Sequence, residues 1–182
     1  MSPDANGQSA STVAGKTGSY KGSAPTTGPS RPQRSCFAGL SDDGQPMFSI
    51  PIRVYWEDTD AGGVVYHARY VAFLERARSD ALRDLGRGQQ ALQQAGLVFA
   101  VHSMRLEFLR PARLDDLLEV TAEVARVGRA SVVFAQRILR GEELLLTAEV
   151  KVAALRAADF RPCPVEDSLY QELKSLQAGP RA

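Results

Sequence analysis

Apolar and polar positions along this chain follow two periods, and one long stretch follows neither. Ile50, Ile52, Val54 and Trp56 alternate with Pro51, Arg53 and Tyr55, the period of a half-buried strand. Residues 57–63 break that alternation with a polar turn ending in two glycines. Over about 66–85 the period lengthens. Tyr70, Phe73, Leu74, Ala77, Ala81 and Leu85 fall on one broad helical face, with Arg76, Asp80 and Arg83 largely away from it. Gly86 and Gly88 stop this helix, and a looser helical segment is expected over 89–94. Leu97, Phe99 and Val101 then alternate in one phase and Met104, Leu106 and Phe108 in the other. The slip at His102 and Ser103 predicts a β-bulge. Three more strands follow, centred on Leu118 to Val124, Val132 to Ile138 and Leu144 to Ala154, with turns at Gly128 and at Gly141-Glu142. Leu169, Leu173 and Leu176 mark a short last helix capped by Asp167 or Ser168. One long apolar helix and one sheet must cover each other, so the expected class is α+β.

Residues 1–46 show no period. They are rich in Gly, Ser, Thr, Pro and Ala and nearly free of large apolar residues. Burial cannot offset the entropy of ordering such a segment, so a disordered tail is expected, dispensable for fold and activity. The domain is expected over 47–165, with a short C-terminal helix and tail over 166–182. Residues 10–17, Ala-Ser-Thr-Val-Ala-Gly-Lys-Thr, loosely fit a phosphate-loop pattern with Ala in place of the first Gly. A working loop needs a buried strand before it and a helix after it. The pattern predicts neither, so chance in a biased segment is the better account.

Composition removes several function classes. The 22 Lys and Arg nearly balance the 21 Asp and Glu, for a formal net charge of +1, which gives no global case for nucleic acid or an anionic membrane. The 2 cysteines, Cys36 and Cys163, have no metal or redox spacing and fit a reducing compartment. No apolar run is long enough to span a bilayer, and no signal-peptide core is evident, so the expected location is cytoplasmic. There is no Gly-x-Ser-x-Gly elbow and no clustered His/Cys set, so neither a serine nucleophile nor a metal is expected.

The chemistry concentrates in the turn before the long helix. On spacing alone Asp60 reads as a turn or capping aspartate. The wider stretch changes that. Val54-Tyr-x-Glu-Asp-Thr-Asp-Ala-Gly-Gly-Val-Val-Tyr-His-Ala-x-Tyr70 resembles the signature of the 4-hydroxybenzoyl-CoA thioesterase family, in its Tol-Pal-associated acyl-CoA thioesterase branch. The likeness continues through Phe73-Leu-Glu-Arg-Ala-Arg78 and Glu107-Phe-Leu-Arg-Pro-Ala-Arg-Leu-Asp-Asp116, covering about 51–162. It implies a hotdog fold, an antiparallel sheet wrapped around one long central helix. It also implies a homodimer or homotetramer with sites at subunit interfaces, and hydrolysis of acyl-CoA without a cofactor. The family's acidic catalytic residue falls on Asp60, and the amide that polarises the thioester carbonyl on His67.

Thioester hydrolysis needs a base or nucleophile, stabilisation of the oxyanion and a slot for the pantetheine arm. Asp60 supplies the first, as base or as a nucleophile forming a mixed anhydride. The helix start at Tyr66 and His67 supplies the second. Gly62, Gly63 and Val64 form the substrate-binding turn, where glycine admits close approach to the backbone. Tyr66 and His67 are also candidates to orient acyl group or water. Asp58 is expected to be structural, since two carboxylates at this spacing would repel on one face of an extended chain. Glu75, at a spacing from Arg78 that allows the two to pair, is expected to be mainly structural, and His102 to be structural. Arg126 and Arg129, beside Gly128, are candidates for the CoA phosphates, as are Arg110 and Arg113 beside Pro111. The expected substrates are short- to medium-chain or aromatic acyl-CoAs, with an acyl carrier protein as a second partner left open. The alternatives are a non-hydrolytic acyl-CoA or carrier-protein binding module, and a hotdog hydratase.

Overall fold

The segments with strand period form one sheet, and the helical segment covers it. The structure is a computed structural model that describes residues 39–40 and 46–177. Its strands are β1 (Gly39–Leu40), β2 (Pro46–Arg53), β3 (Leu97–Phe108), β4 (Leu117–Gly128), β5 (Ser131–Arg140) and β6 (Glu143–Arg156). Its helices are α1 (His67–Asp84), α2 (Gln89–Gln94) and α3 (Asp167–Ser175). Every pairing is antiparallel, in the order β1-β2-β4-β5-β6-β3. The two-residue β1 only flanks β2, so five strands make the body of the sheet. Tyr70, Phe73, Leu74 and Ala77 on α1 join Ile50, Val120, Ile138, Leu146 and Val150 from the sheet in one buried cluster. This is the expected α+β hotdog architecture.

Sequence pattern and structure agree on the central details. The helix runs from His67 to Asp84, and it ends as expected, with the Gly86 amide donating to Arg83 O and the Arg87 amide to Leu82 O. The register of β3 on β6 shifts between Val101 and Ser103, where the phase slip lies. Three particulars differ. The alternation predicts a strand through Trp56, but β2 stops at Arg53 because residues 56–58 turn into a 3-10 helix, leaving Trp56 79% exposed. α3 starts at Asp167 with Glu166 as its N-cap and no side-chain capping bond, one residue before the expected caps. Arg78, which the sequence reading did not assign to the buried face, is buried. The expected tail over 1–46, with its phosphate-loop-like stretch, lies outside the described residues apart from Gly39–Leu40 and Pro46, which are strand.

Register decides which loops share an end of the sheet. The pairs Arg53↔Leu117, Arg140↔Glu143 and Phe108↔Leu146 gather the C-termini of β2, β5 and β3 at one end. The pairs Gly128↔Ser131 and Leu97↔Arg156 mark the opposite end.

Candidate active site

The loop from β2 to α1 is held shut by its own backbone. The Asp60 amide donates to Val64 O at 3.0 Å and the Tyr66 amide to Asp58 O at 2.9 Å, around a Thr59↔Val65 bridge. The Val65 amide donates to Ala112 O at 2.9 Å, and the Ala112 amide to the Tyr70 hydroxyl at 2.8 Å, which ties the loop to the segment after β3. Burial pushes the Tyr70 phenol above its ordinary value of 10.0, and the hydrogen bond from Ala112 opposes that.

The two aspartates of the turn have different surroundings. Asp58 is 2% exposed and its oxygens are occupied: Oδ2 accepts from the Tyr55 amide at 2.9 Å and Oδ1 from Arg69 Nε at 2.7 Å. Asp60 is exposed, and its Oδ1 accepts from the Gly62 amide at 2.8 Å. A carboxylate held by one oxygen leaves the other available for chemistry. Each glycine has a local reason here. A Cβ on Gly62 would meet Asp60 Oδ1 at 3.0 Å, and Gly63 sits at φ 71°. Val64 is half-buried and contributes its carbonyl to the Asp60 amide.

The helix start beside this turn is uncapped. Tyr66 is the N-cap, makes no side-chain capping bond, and the first turn holds no acidic residue. The Tyr66 amide is taken by Asp58 O, whereas the His67 and Ala68 amides have no partner among the described residues. Free amides at a helix start favour negative charge. The Tyr66 and His67 side chains are exposed, their ring centroids 4.4 Å apart.

The arginine candidates separate by position. Arg110 and Arg113 flank Ala112, at the same end of the sheet as Asp60, with Arg110 Nε 3.2 Å from Glu143 Oε1. Arg126 and Arg129 are exposed at the opposite end, about 30 Å away along β4. One chain therefore does not bring Asp60 together with Arg126 and Arg129. Glu75 does not pair with Arg78, although their spacing allows it. Its Oε1 accepts from Ser79 Oγ at 2.6 Å, while Arg78 donates to Gln136 Oε1 at 2.7 Å. Sequence reasoning missed the burial of Arg78, although it lies four residues after Leu74 and three before Ala81, on the apolar stripe. His102, at the bulge, is exposed.

Comparison with known proteins adds a family context. The thioesterase superfamily profile matches residues 62–147. The chain is 47% identical over 129 residues to the acyl-CoA thioester hydrolase YbgC of Escherichia coli, spanning 70% of this chain and 96% of that protein. It is 48% identical over 116 residues to the acyl-CoA thioesterase YbgC of Haemophilus influenzae, spanning 63% of this chain and 85% of that one. A probable thioesterase from Bartonella henselae, solved by crystallography, superposes with a TM-score of 0.63 at 39% identity, covering 66% of this chain and 99% of its own.

Proposed function

The chain belongs to the thioesterase superfamily and is an acyl-CoA thioester hydrolase; from that premise we propose that Asp60 is its base or nucleophile and the start of α1 its oxyanion site. The observation that carries this reading is the pairing of an anchored, exposed carboxylate with unpartnered amides at His67 and Ala68 on the neighbouring helix start. The thioester carbonyl accepts from these amides, which stabilise the charge that develops on its oxygen. Asp60 either takes a proton from the attacking water or attacks the carbonyl to give a mixed anhydride that water then opens. In both routes the carbon–sulfur bond breaks, CoA leaves as thiol and the acyl group as carboxylate. The Tyr66 and His67 side chains flank the reacting centre, where they orient acyl group and water, and Gly62, Gly63 and Val64 line the approach.

The reading includes a homodimer built through β3. This strand is the free edge of the sheet, twelve residues long, with Val101 49% and Phe108 53% exposed. Long apolar edges are normally covered. Antiparallel pairing of two β3 edges sets the Phe108 end of one chain against the Leu97 end of the other. That arrangement brings Arg126 and Arg129 of one copy toward the Asp60 end of its partner, where the CoA phosphates would lie. Exposed Tyr55 and Trp56 offer a further contact for a homotetramer. Short- to medium-chain or aromatic acyl-CoAs are the proposed substrates, with acyl carrier protein thioesters as a second source. Membership of the Tol-Pal-associated branch and a cytoplasmic location, expected from the sequence, are kept as part of this proposal. Among the described residues no helix is long and apolar enough to cross a membrane.

The test is a panel of acyl-CoAs in which free thiol and free acid are both measured. A hydrolase releases the two in equal amounts. A hydratase would consume enoyl-CoA without thiol release, and a binding module would hold acyl-CoA unchanged; either result contradicts the proposal.

A further inference from the structure

Arg78 is a charged group that the reaction above leaves unused. It is 6% exposed, and among the described residues its one hydrogen bond runs to a neutral acceptor, Gln136 Oε1, at 2.7 Å. Gln136, 1% exposed, is itself clamped: its Nε2 donates to the Leu74 and Thr121 carbonyls at 3.1 and 2.9 Å. Glu75 acts on the guanidinium through its charge, without a hydrogen bond to it, while its Oε1 accepts from Ser79 Oγ. Burial pushes the guanidinium below its ordinary pKa, and Glu75 partly opposes this. A guanidinium carries five N–H donors, and burying it without an anionic partner is costly. Among the described residues no buried side-chain nitrogen or oxygen lacks a partner, so the other Arg78 nitrogens are not sealed in. Arg78 lines a cavity of about 90 Å³ whose apolar wall includes Leu82, Phe99, Val101 and Phe134, with Glu75 and Ser79 also on its lining. At roughly 30 Å³ per water, that is room for about three waters or a small group of similar size.

We propose that this cavity receives the distal end of the acyl group and that Arg78 selects acyl groups carrying an acceptor oxygen there, a hydroxyl, carbonyl or carboxylate. The inference rests on the thioesterase reading above. Apolar walls suit the hydrocarbon part of such a group, and the spare donors suit its oxygen. Phe99 and Val101 belong to β3, the edge proposed to pair with a second copy, so the cavity lies beside the junction. Antiparallel pairing there sets it toward the helix start of the partner chain. A site with a buried donor strongly disfavours a ligand that leaves the donor unpaired.

The experiment uses the full chain and three thioesters of one length: hexanoyl-, 6-hydroxyhexanoyl- and adipoyl-CoA. Thiol release gives kcat/KM for each. At least one oxygen-bearing substrate should exceed hexanoyl-CoA by about tenfold or more, and whether it is the hydroxyl or the carboxylate identifies the chemistry read. Arg78→Met should bring that ratio close to one, and Arg78→Lys, which keeps a donor, should retain part of it. Hexanoyl-CoA turned over as fast as both others would overturn the inference alone, as would a folded Arg78→Met protein with the ratio intact. If Arg78→Met fails to fold, the wild-type ratio and Arg78→Lys decide by the same criteria. Absence of thiol release from every acyl-CoA would overturn the hydrolase reading and this inference with it.

Discussion

Asp58 and Asp60 are two residues apart, yet the fold treats them as different groups. Asp58 is sealed between the Tyr55 amide and Arg69, whereas Asp60 stays at the surface with one oxygen anchored by Gly62. The order of residues in the turn is legible in the sequence because the turn is local. The burial that makes Asp58 structural is not, because Arg69 reaches it only once the loop has closed onto α1. Tyr70 gives a test at this scale. Its phenol holds the proton more tightly in the folded chain than in the unfolded one, so the fold should lose stability as pH rises above about 10. Tyr70→Phe should flatten that alkaline loss. At neutral pH it should cost about 1–3 kcal/mol, because the Ala112 amide loses its acceptor. Thermal melts of both proteins across neutral and alkaline pH check both effects; parallel curves would contradict the assignment.

Among the elements, α1 and β3 were the most readable. A helical stripe and a phase slip are periodic signals, and both survive folding because one face of each element packs against the core. Arg78 shows how residue type can obscure a periodic signal. Its position on the stripe marks it as buried, while its charge suggests a surface ion pair. The limits of β2 and α3 were set by interactions that periodicity does not carry, the 3-10 turn after Arg53 and an N-cap with no side-chain bond. α3 is an integral part of the core, since Leu169 and Leu173 are 0% and 1% exposed. Leu173→Ala should therefore lower stability by about 2–5 kcal/mol in denaturant unfolding. A loss well under 1 kcal/mol would mean that α3 is an appendage.

At the scale of the whole molecule, the separation of Arg126 and Arg129 from Asp60 is the feature that sequence could not supply. It depends on strand order and direction, which link residues distant in the chain. If two copies join through β3, sedimentation at micromolar concentration should show a dimer or tetramer, and Val101→Glu on that edge should shift it toward monomer. Replacing Arg126 and Arg129 together by Ala should raise KM for acyl-CoA far more than for a small thioester lacking the nucleotide. A fully active monomer, or equal effects on both substrates, would contradict the shared site. The central claim is that this assembly hydrolyses acyl-CoA through Asp60, and kcat of Asp60→Asn on the best wild-type substrate tests it most directly. The turn keeps a hydrogen-bond acceptor, so the melting temperature should hold, while kcat should fall by at least about 100-fold. Asp58→Asn should show the reverse, a lower melting temperature with a smaller loss of kcat. A folded Asp60→Asn enzyme with near-normal kcat would contradict the account.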